Sequence, residues 1–186
     1  MAKIEDVMGL FRNVEFSNDN SKLLHKNPTE TGLTFYGIYE TAHPKWEGWN
    51  IIKRYLKIEP DLKKCSVVLS NNIELDLMVQ KFYKKEFWDK SKLDLVNSQK
   101  VANQIFIFST NIGVNKANKE VQKLLNVTVD GIIGSQTIQA INEKIEDDFI
   151  KSFKSVQKAY YKRLVDNNPN LEIYYKGWIN RVDKVA

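Results

Sequence analysis

Apolar residues recur at helical spacing along most of the chain, and this pattern predicts a mainly α protein. In the first segment Ile4, Val7, Met8 and Phe11 are spaced i, i+3, i+4 and i+7, which is one face of a helix over residues 3–15. The same spacing predicts further helices from Pro44 to about Leu56 and over residues 73–88, 99–113, 116–126 and 174–181. It also predicts one long helix that runs from Ser135 through Leu164 and ends at the break Asn167-Asn168-Pro169.

Polar and turn-forming residues separate these helices. Residues 16–44 are predicted to be mostly loop, because Asn27-Pro28 and Gly32 disfavour a continuous helix. A short extended segment is expected at Leu33–Ile38, where β-branched and aromatic residues cluster. Asp130, with Gly131 and Gly134 after it, is typical of a structural turn in which the carboxylate accepts hydrogen bonds from backbone N–H groups.

One predicted helix is apolar on every side. It is the helix at 99–113, which contains Ile105–Phe108 and is bounded by the plausible N-cap Ser98 and the plausible stop Gly113. Such a helix needs neighbours all round and should be central and buried. We therefore predict a small extended segment and two helical lobes that share one core, so that residues 1–94 do not fold alone.

Glu15 is the first candidate for chemistry. It lies eleven residues after Ile4, which at about 100° per residue returns it to nearly the apolar face of the first helix. Desolvation there would raise the pKa of Glu15 and keep it protonated, as a general acid requires. Glu15→Gln would then leave the stability of the protein unchanged or higher, because it removes a buried charge. The alternative is that the helix ends earlier and the carboxylate is solvated.

Composition describes a folded protein without obvious cofactor chemistry. The chain has 186 residues, of which 42% are hydrophobic and 27% charged. Cys65 is the one cysteine, so no internal disulfide is possible, and we expect it to be a small buried residue. His25 and His43 have no metal-ligand spacing, so neither a metal nor another cofactor is predicted.

The N-terminal residues have acids where a signal peptide would have an apolar run, and no stretch has the roughly 20 apolar residues of a membrane helix. We therefore expect synthesis in the cytoplasm and no membrane insertion. Residues 1–94 carry 15 basic and 14 acidic side chains, whereas residues 95–186 carry 13 basic and 9 acidic. The basic second half suggests an anionic polymer, either cell wall or nucleic acid, or else a solvated lysine-rich surface.

Three sequence blocks occur in order along the chain. They are Glu15 with Thr34-Phe35-Tyr36-Gly37-Ile38, then TNIGVNKANKEVQKLLNVTVDGIIGSQTIQAI at 110–141, then Gly177-Trp178-Ile179-Asn180-Arg181-Val182. Together they resemble the family 108 glycoside hydrolases, which are found in phage-type endolysins and are also described as secretion-activating proteins. The resemblance implies a lysozyme-like hydrolase region at 1–94 and a peptidoglycan-binding helical region at 95–186.

The resemblance also assigns roles to residues. Glu15 would be the general acid, and Thr34 would orient the attacking water. Asp19 or, by slight preference, Glu30 would act as base or stabilise positive charge, while Tyr36, Gly37 and Tyr39 would contact substrate. Some of these residues also have a purely structural interpretation: Asp19 as a turn or cap residue, Thr34 as a strand residue, and Tyr36 and Gly37 as packing or turn residues.

The chain departs from the family at Phe16-Ser17, where a Gly-Gly pair is usual, and at the longer segment 27–32. The first interpretation is an N-acetylmuramidase that reaches the wall or periplasm through a holin or a secretion system and acts on peptidoglycan glycan strands. The Phe16-Ser17 departure motivates a second, a catalytically weak wall-binding or secretion-accessory protein. A nucleic-acid-binding domain ranks last, and nucleic acid is not the expected partner.

Overall fold

The computed structural model describes residues 1–27 and 31–185 and is mainly helical, which confirms the predicted fold class. Its regular elements in chain order are α1 (Ile4–Phe16), β1 (Leu24–His25), β2 (Thr34–Phe35), β3 (Ile38–Tyr39), α2 (Gly48–Leu56), α3 (Leu62–Leu69), α4 (Ile73–Tyr83), α5 (Gln99–Ile112), α6 (Val114–Leu125), α7 (Ser135–Asn142), α8 (Glu146–Asn167) and α9 (Glu172–Lys184).

The chain divides into two compact units. Unit 1 contains Met1–Glu15 and Lys84–Ala186, and unit 2 contains Phe16–Tyr83. Unit 1 is therefore built from both ends of the sequence, and unit 2 is one continuous segment. The predicted boundary at residue 94 stays a prediction.

Helix α5 is the centre of unit 1. Every residue from Val101 to Ser109 is buried, as its all-round apolar sequence predicted. The ring of Phe106 meets those of Phe11 and Trp88 edge-on, with centroids 5.6 and 5.8 Å apart. Helices α6 and α8 cover other sides of α5, and Phe108 packs against Phe153 at 5.6 Å.

The ends of α5 follow the local sequence. The Ser98 hydroxyl accepts a hydrogen bond from the Val101 N–H at 3.1 Å, which satisfies one of the free donors of the first turn. Gly113 follows the last turn with φ 89°, a conformation that favours glycine. Both predicted boundaries are confirmed.

The long helix predicted from Ser135 to Leu164 was wrong, because it is two helices. Asn142 ends α7 and bonds to another segment, donating to the Leu95 carbonyl and accepting from the Asn97 N–H, each at 2.9 Å. Helix α8 then begins with Glu146, Asp147 and Asp148, and acidic residues in the first turn favour a helix N-terminus because they interact well with the positive end of the helix dipole. That acidic triplet was the available sign of a new helix.

Other boundaries differ by smaller amounts. Helix α2 begins at Gly48 rather than Pro44. Helix α3 was not among the predicted helices, and Asp61 caps its start by accepting a hydrogen bond from the Lys64 N–H at 2.8 Å. Cys65 in α3 is buried, as expected, and burial raises the pKa of its thiol. No helix in the described part of the chain is both long and apolar enough to cross a membrane.

Unit 1 makes a testable prediction about a fragment of residues 1–94. In that fragment α1 and Trp88 would lose Phe106, and the Ala2 N–H would lose its acceptor, the Val96 carbonyl. We expect α1 not to form and the Trp88 indole to become solvated, whatever structure unit 2 keeps. Circular dichroism and tryptophan emission of the fragment, with a Trp88→Phe fragment as control, measure both effects. Full helicity of α1–α4 with a buried Trp88 would contradict this view of unit 1.

Candidate active site

Glu15 lies in the last turn of α1 and faces a cation. Its Oε1 is 2.8 Å from Nε of Arg181, and its Oε2 accepts a hydrogen bond from Nη2 of Arg181 at 2.9 Å. The two side chains are 19% and 21% exposed, respectively. The sequence analysis put Glu15 near the apolar face of the first helix and did not identify this cationic partner, which is 166 positions away in the sequence.

Arg181 is held by the packing of α9 against α8. Trp178, one turn earlier on α9, stacks on Tyr161 of α8 with ring centroids 5.0 Å apart and planes inclined by 23°. Tyr161 is fully buried, burial raises the pKa of its hydroxyl, and it donates to Asn111 Oδ1 at 2.7 Å. Trp178 therefore holds the C-terminal helix by packing, while Arg181 pairs with Glu15.

Thr34, Tyr36, Gly37 and Tyr39 come together in one β-hairpin of unit 2. Strand β2 lies between β1 and β3 and is antiparallel to both, so that Thr34 is opposite His25 on one side and Tyr39 on the other. Thr34 is a buried strand residue, 6% exposed. The hairpin turn is Tyr36-Gly37, with φ 53° and 80°, the two positive values of a type I′ turn.

The turn is fixed by a tyrosine. The Tyr83 hydroxyl donates to the Tyr36 carbonyl at 2.6 Å, and the Tyr36 N–H donates to the Leu23 carbonyl at 2.8 Å. A Cβ on Gly37 would lie 2.7 Å from the Tyr83 oxygen. A side chain there would therefore push the Tyr83 hydroxyl away and break its hydrogen bond to the Tyr36 carbonyl. Tyr36 is buried in the protein, whereas Gly37 is exposed to solvent.

Asp19 is the N-cap of a short 3-10 turn at Asn20–Lys22, which is the structural role that the sequence analysis gave as the alternative to catalysis. Its Oδ1 accepts from the N–H and the hydroxyl of Ser21 at 3.0 and 2.7 Å, and its Oδ2 is 3.2 Å from Lys22 Nζ. The Ser21 hydroxyl, with the Ser21 N–H, lowers the pKa of Asp19. Glu30, the preferred second carboxylate, lies outside the described residues.

A further carboxylate supports the hairpin and was missed from the sequence. Glu40 Oε2 accepts from the Leu33 N–H at 3.0 Å, and its Oε1 is 2.7 Å from Lys53 Nζ on α2. The hydrogen bond from Lys53 is the main cause that lowers the pKa of Glu40. No motif marks Glu40, because its partners are seven and thirteen positions away in opposite directions along the sequence.

The loop before α7 is the structural turn that the sequence predicted. Asp130 Oδ1 accepts from the Ile132 N–H at 2.8 Å, and Gly131 has φ 84°. Gln122 Nε2 donates to the same Asp130 oxygen at 2.8 Å. The Asp-Gly turn is therefore held by a local hydrogen bond from Ile132 and by bonds with the Gln122 side chain of α6.

Comparison with known proteins assigns both parts of the chain. The glycosyl hydrolase 108 model matches residues 23–113, and the model described as a predicted peptidoglycan domain matches residues 116–183. The first part of the chain is therefore similar to glycosyl hydrolase 108 and the second part to a peptidoglycan domain. Together these matches support a lysozyme-like protein that acts on peptidoglycan, and the first match supports glycoside hydrolase activity.

The fold is shared with the solved structure of Brucella abortus SagA. The two chains are 22% identical with a TM-score of 0.66, over 98% of this chain and 90% of the other. A comparison with curated proteins gave no match. Glu15, Phe16 and Ser17 precede the range of the glycosyl hydrolase 108 match, so their assignment depends on the structure and on the motif resemblance.

The departure from the glycosyl hydrolase 108 motif has a visible cost in backbone conformation. Phe16 is the last residue of α1, but Ser17 and Asn18 have φ 54° and 55°. A non-glycine residue in the left-handed region loses about 1 to 2 kcal/mol of stability, and asparagine loses less. A glycine at position 17, the second of the usual pair, would adopt this conformation without that loss. The Phe16 ring lies 5.1 Å from the Tyr36 ring and occupies space that the first glycine would leave open.

Ser17→Gly is expected to stabilise the protein by about 0.5 to 1 kcal/mol, because relief of the left-handed strain exceeds the added freedom of the unfolded chain. Asn18→Gly should gain less, since asparagine tolerates this conformation. Thermal melts measure both variants. The control is Ser155→Gly on an exposed face of α8, which should destabilise, because the same change there only weakens a helix. Equal effects at positions 17 and 155 would contradict the strain argument.

Glu40→Gln should weaken the hairpin in a pH-dependent way. The lowered pKa means that the carboxylate stabilises the fold fully above its ordinary value of 4.5 and loses this contribution as the pH falls through the lower folded value. We expect the variant to be about 1 kcal/mol less stable than wild type at neutral pH and equally stable in strong acid. Melts at both pH values test this, with exposed Glu47→Gln as control. A difference that persists in acid would exclude the ion pair as its source.

Proposed function

We propose that this protein is an N-acetylmuramidase that cleaves the bond between muramic acid and glucosamine in peptidoglycan. The observation that carries the proposal is the Glu15 carboxylate, mostly buried at the end of α1, oriented by a guanidinium and still about a fifth exposed. The glycosyl hydrolase 108 region supports a glycosidase, and hydrolysis of a glycoside requires a positioned acid.

In the proposed reaction the protonated form of Glu15 donates a proton to the glycosidic oxygen as the bond to the anomeric carbon breaks, which leaves Glu15 as the carboxylate that pairs with Arg181. Water adds to that carbon, and the Thr34 hydroxyl orients it. A second carboxylate accepts the proton of the water or stabilises the positive charge on the sugar. Asp19 has both oxygens engaged by Ser21 and Lys22, which supports Glu30 for this role.

The hairpin turn provides the proposed substrate surface. Gly37 is exposed and has no side chain, so a glycan strand could approach its backbone closely. Tyr39 is half-buried, and its hydroxyl donates to the Thr31 carbonyl at 2.8 Å, which leaves the ring face as an apolar surface for a sugar. Tyr36 is buried and supports this surface from within.

The region matched by the peptidoglycan model supports glycan strands of the wall as the partner. We propose that the protein acts at the wall or in the periplasm after release through a holin or a secretion system. The chemistry requires no cofactor, because proton transfer and addition of water use only side chains of the chain.

One observation favours a second function, namely peptidoglycan binding with little or no hydrolysis. Phe16 places a ring beside Tyr36 where the family usually has a glycine, and this narrows the approach to the hairpin turn. Lysis in a zymogram separates the two functions. Co-sedimentation with purified walls in the absence of lysis would support the second one.

Glu15→Gln should abolish wall lysis in a zymogram, because glutamine cannot donate a proton to the leaving oxygen. It should also lower stability by about 1 to 3 kcal/mol, since Arg181 loses its counter-charge. The structure thereby reverses the sequence-based expectation of unchanged or higher stability. The matched control is Glu5→Gln on the exposed first turn of α1, which should keep wild-type lysis. Lysis by Glu15→Gln at the control level would remove Glu15 from the mechanism.

A further inference from the structure

We propose that Arg181 is a positioning residue for Glu15, so that the region matched by the peptidoglycan model supplies part of the hydrolytic site as well as a wall-binding surface. This inference rests on the proposed function, in which Glu15 is the proton donor. Arg181 lies in α9, within residues 116–183, whereas Glu15 lies at the end of α1.

The guanidinium contacts both oxygens of the carboxylate. Nη2 donates a hydrogen bond to Oε2 at 2.9 Å, and Nε lies 2.8 Å from Oε1 as the second contact of the ion pair. Contacts at two points fix the orientation of a carboxylate as well as its position.

The helices that carry the pair are held in place without it. On α1, Phe11 packs against Phe106 of α5. On α9, Trp178 stacks on Tyr161, and the carbonyl of Val185 accepts a hydrogen bond from the buried Gln104 side chain. The ion pair is therefore not needed to bring α1 and α9 together, and the effect left for the guanidinium is on the carboxylate itself.

A guanidinium suits this task better than an ammonium would. It stays charged at all working pH values and cannot compete as a proton donor. Its planar arrangement of N–H groups fixes the plane of a carboxylate, which a single ammonium does not. When Glu15 gives its proton to the glycosidic oxygen, the carboxylate that remains lies beside a positive charge already in position.

The test compares Arg181→Gln and Arg181→Lys with wild type on soluble peptidoglycan fragments, with Arg163→Gln as control. Arg163 is a more exposed arginine on α8 that lies near Glu120, and its change should leave activity unaltered. For Arg181→Gln we expect kcat to fall on the order of a hundredfold, the scale for a misplaced catalytic group, with KM and wall sedimentation unchanged. Arg181→Lys should retain an intermediate kcat.

A double variant separates positioning from packing. In the Glu15→Gln background, Arg181→Gln should not reduce the residual rate further, because the group it positions is already absent. If Arg181→Gln does not fold, Arg181→Lys carries the comparison, since it keeps the charge.

The outcomes distinguish this inference from the function on which it rests. Wild-type kcat in both Arg181 variants, together with an inactive Glu15→Gln, would overturn the inference and leave the muramidase proposal standing. A fall in kcat matched by lost wall binding, or by melting well below that of Glu15→Gln, in which the same ion pair is broken, would overturn it in favour of a structural role. An inactive wild-type protein, or an active Glu15→Gln, would overturn the proposed function and the inference with it.

Discussion

Helix α5 imposes the main constraint on unit 1, because an element that is apolar on every side must be surrounded. Residues Val101–Ser109 are buried without a break, so no face of this stretch is left for water. The chain meets this demand by bringing α1 from one end of the sequence, and α6 and α8 from the other, against the same helix. The Glu15 and Arg181 side chains meet as a result of this arrangement.

The segment around Glu15 departs from local preferences in two ways. A charged pair is largely buried there, and two consecutive non-glycine residues follow the helix in the left-handed region. Natural proteins depart from local preferences mainly at functional sites, where the surrounding packing enforces the geometry. The concentration of these departures next to Glu15 agrees with a functional role for this end of α1.

Much of the architecture follows from the sequence, because helical periodicity and capping are local properties. The buried α5, its boundaries at Ser98 and Gly113, the Asp130 turn and the extended hairpin segment were all predictable in this way. The break between α7 and α8 was not, since the apolar spacing continues across it and the deciding bonds from Asn142 reach a segment 45 and 47 positions away. An acidic triplet gave the one local hint.

The candidate site was only half predictable for the same reason. Glu15, Thr34 and the hairpin turn carry motif signals, and the third sequence block singled out Arg181, but nothing in either segment names the other as its partner. The positive φ values at Ser17 and Asn18 show why the family usually has glycine there, which the motif alone could not explain. Glu40 had no signal at all, because a carboxylate that supports a turn is indistinguishable in sequence from a surface one.

The division of unit 1 between the two ends of the sequence has a consequence for synthesis on the ribosome. Residues Met1–Glu15 emerge before unit 2, and the partner of Glu15 is made 166 positions after it. Domains generally fold in the order in which they are made, so unit 2 is available to fold early, while unit 1 must wait until α9 has left the exit tunnel. A partly made chain therefore holds Glu15 without its guanidinium until α9 has been synthesised.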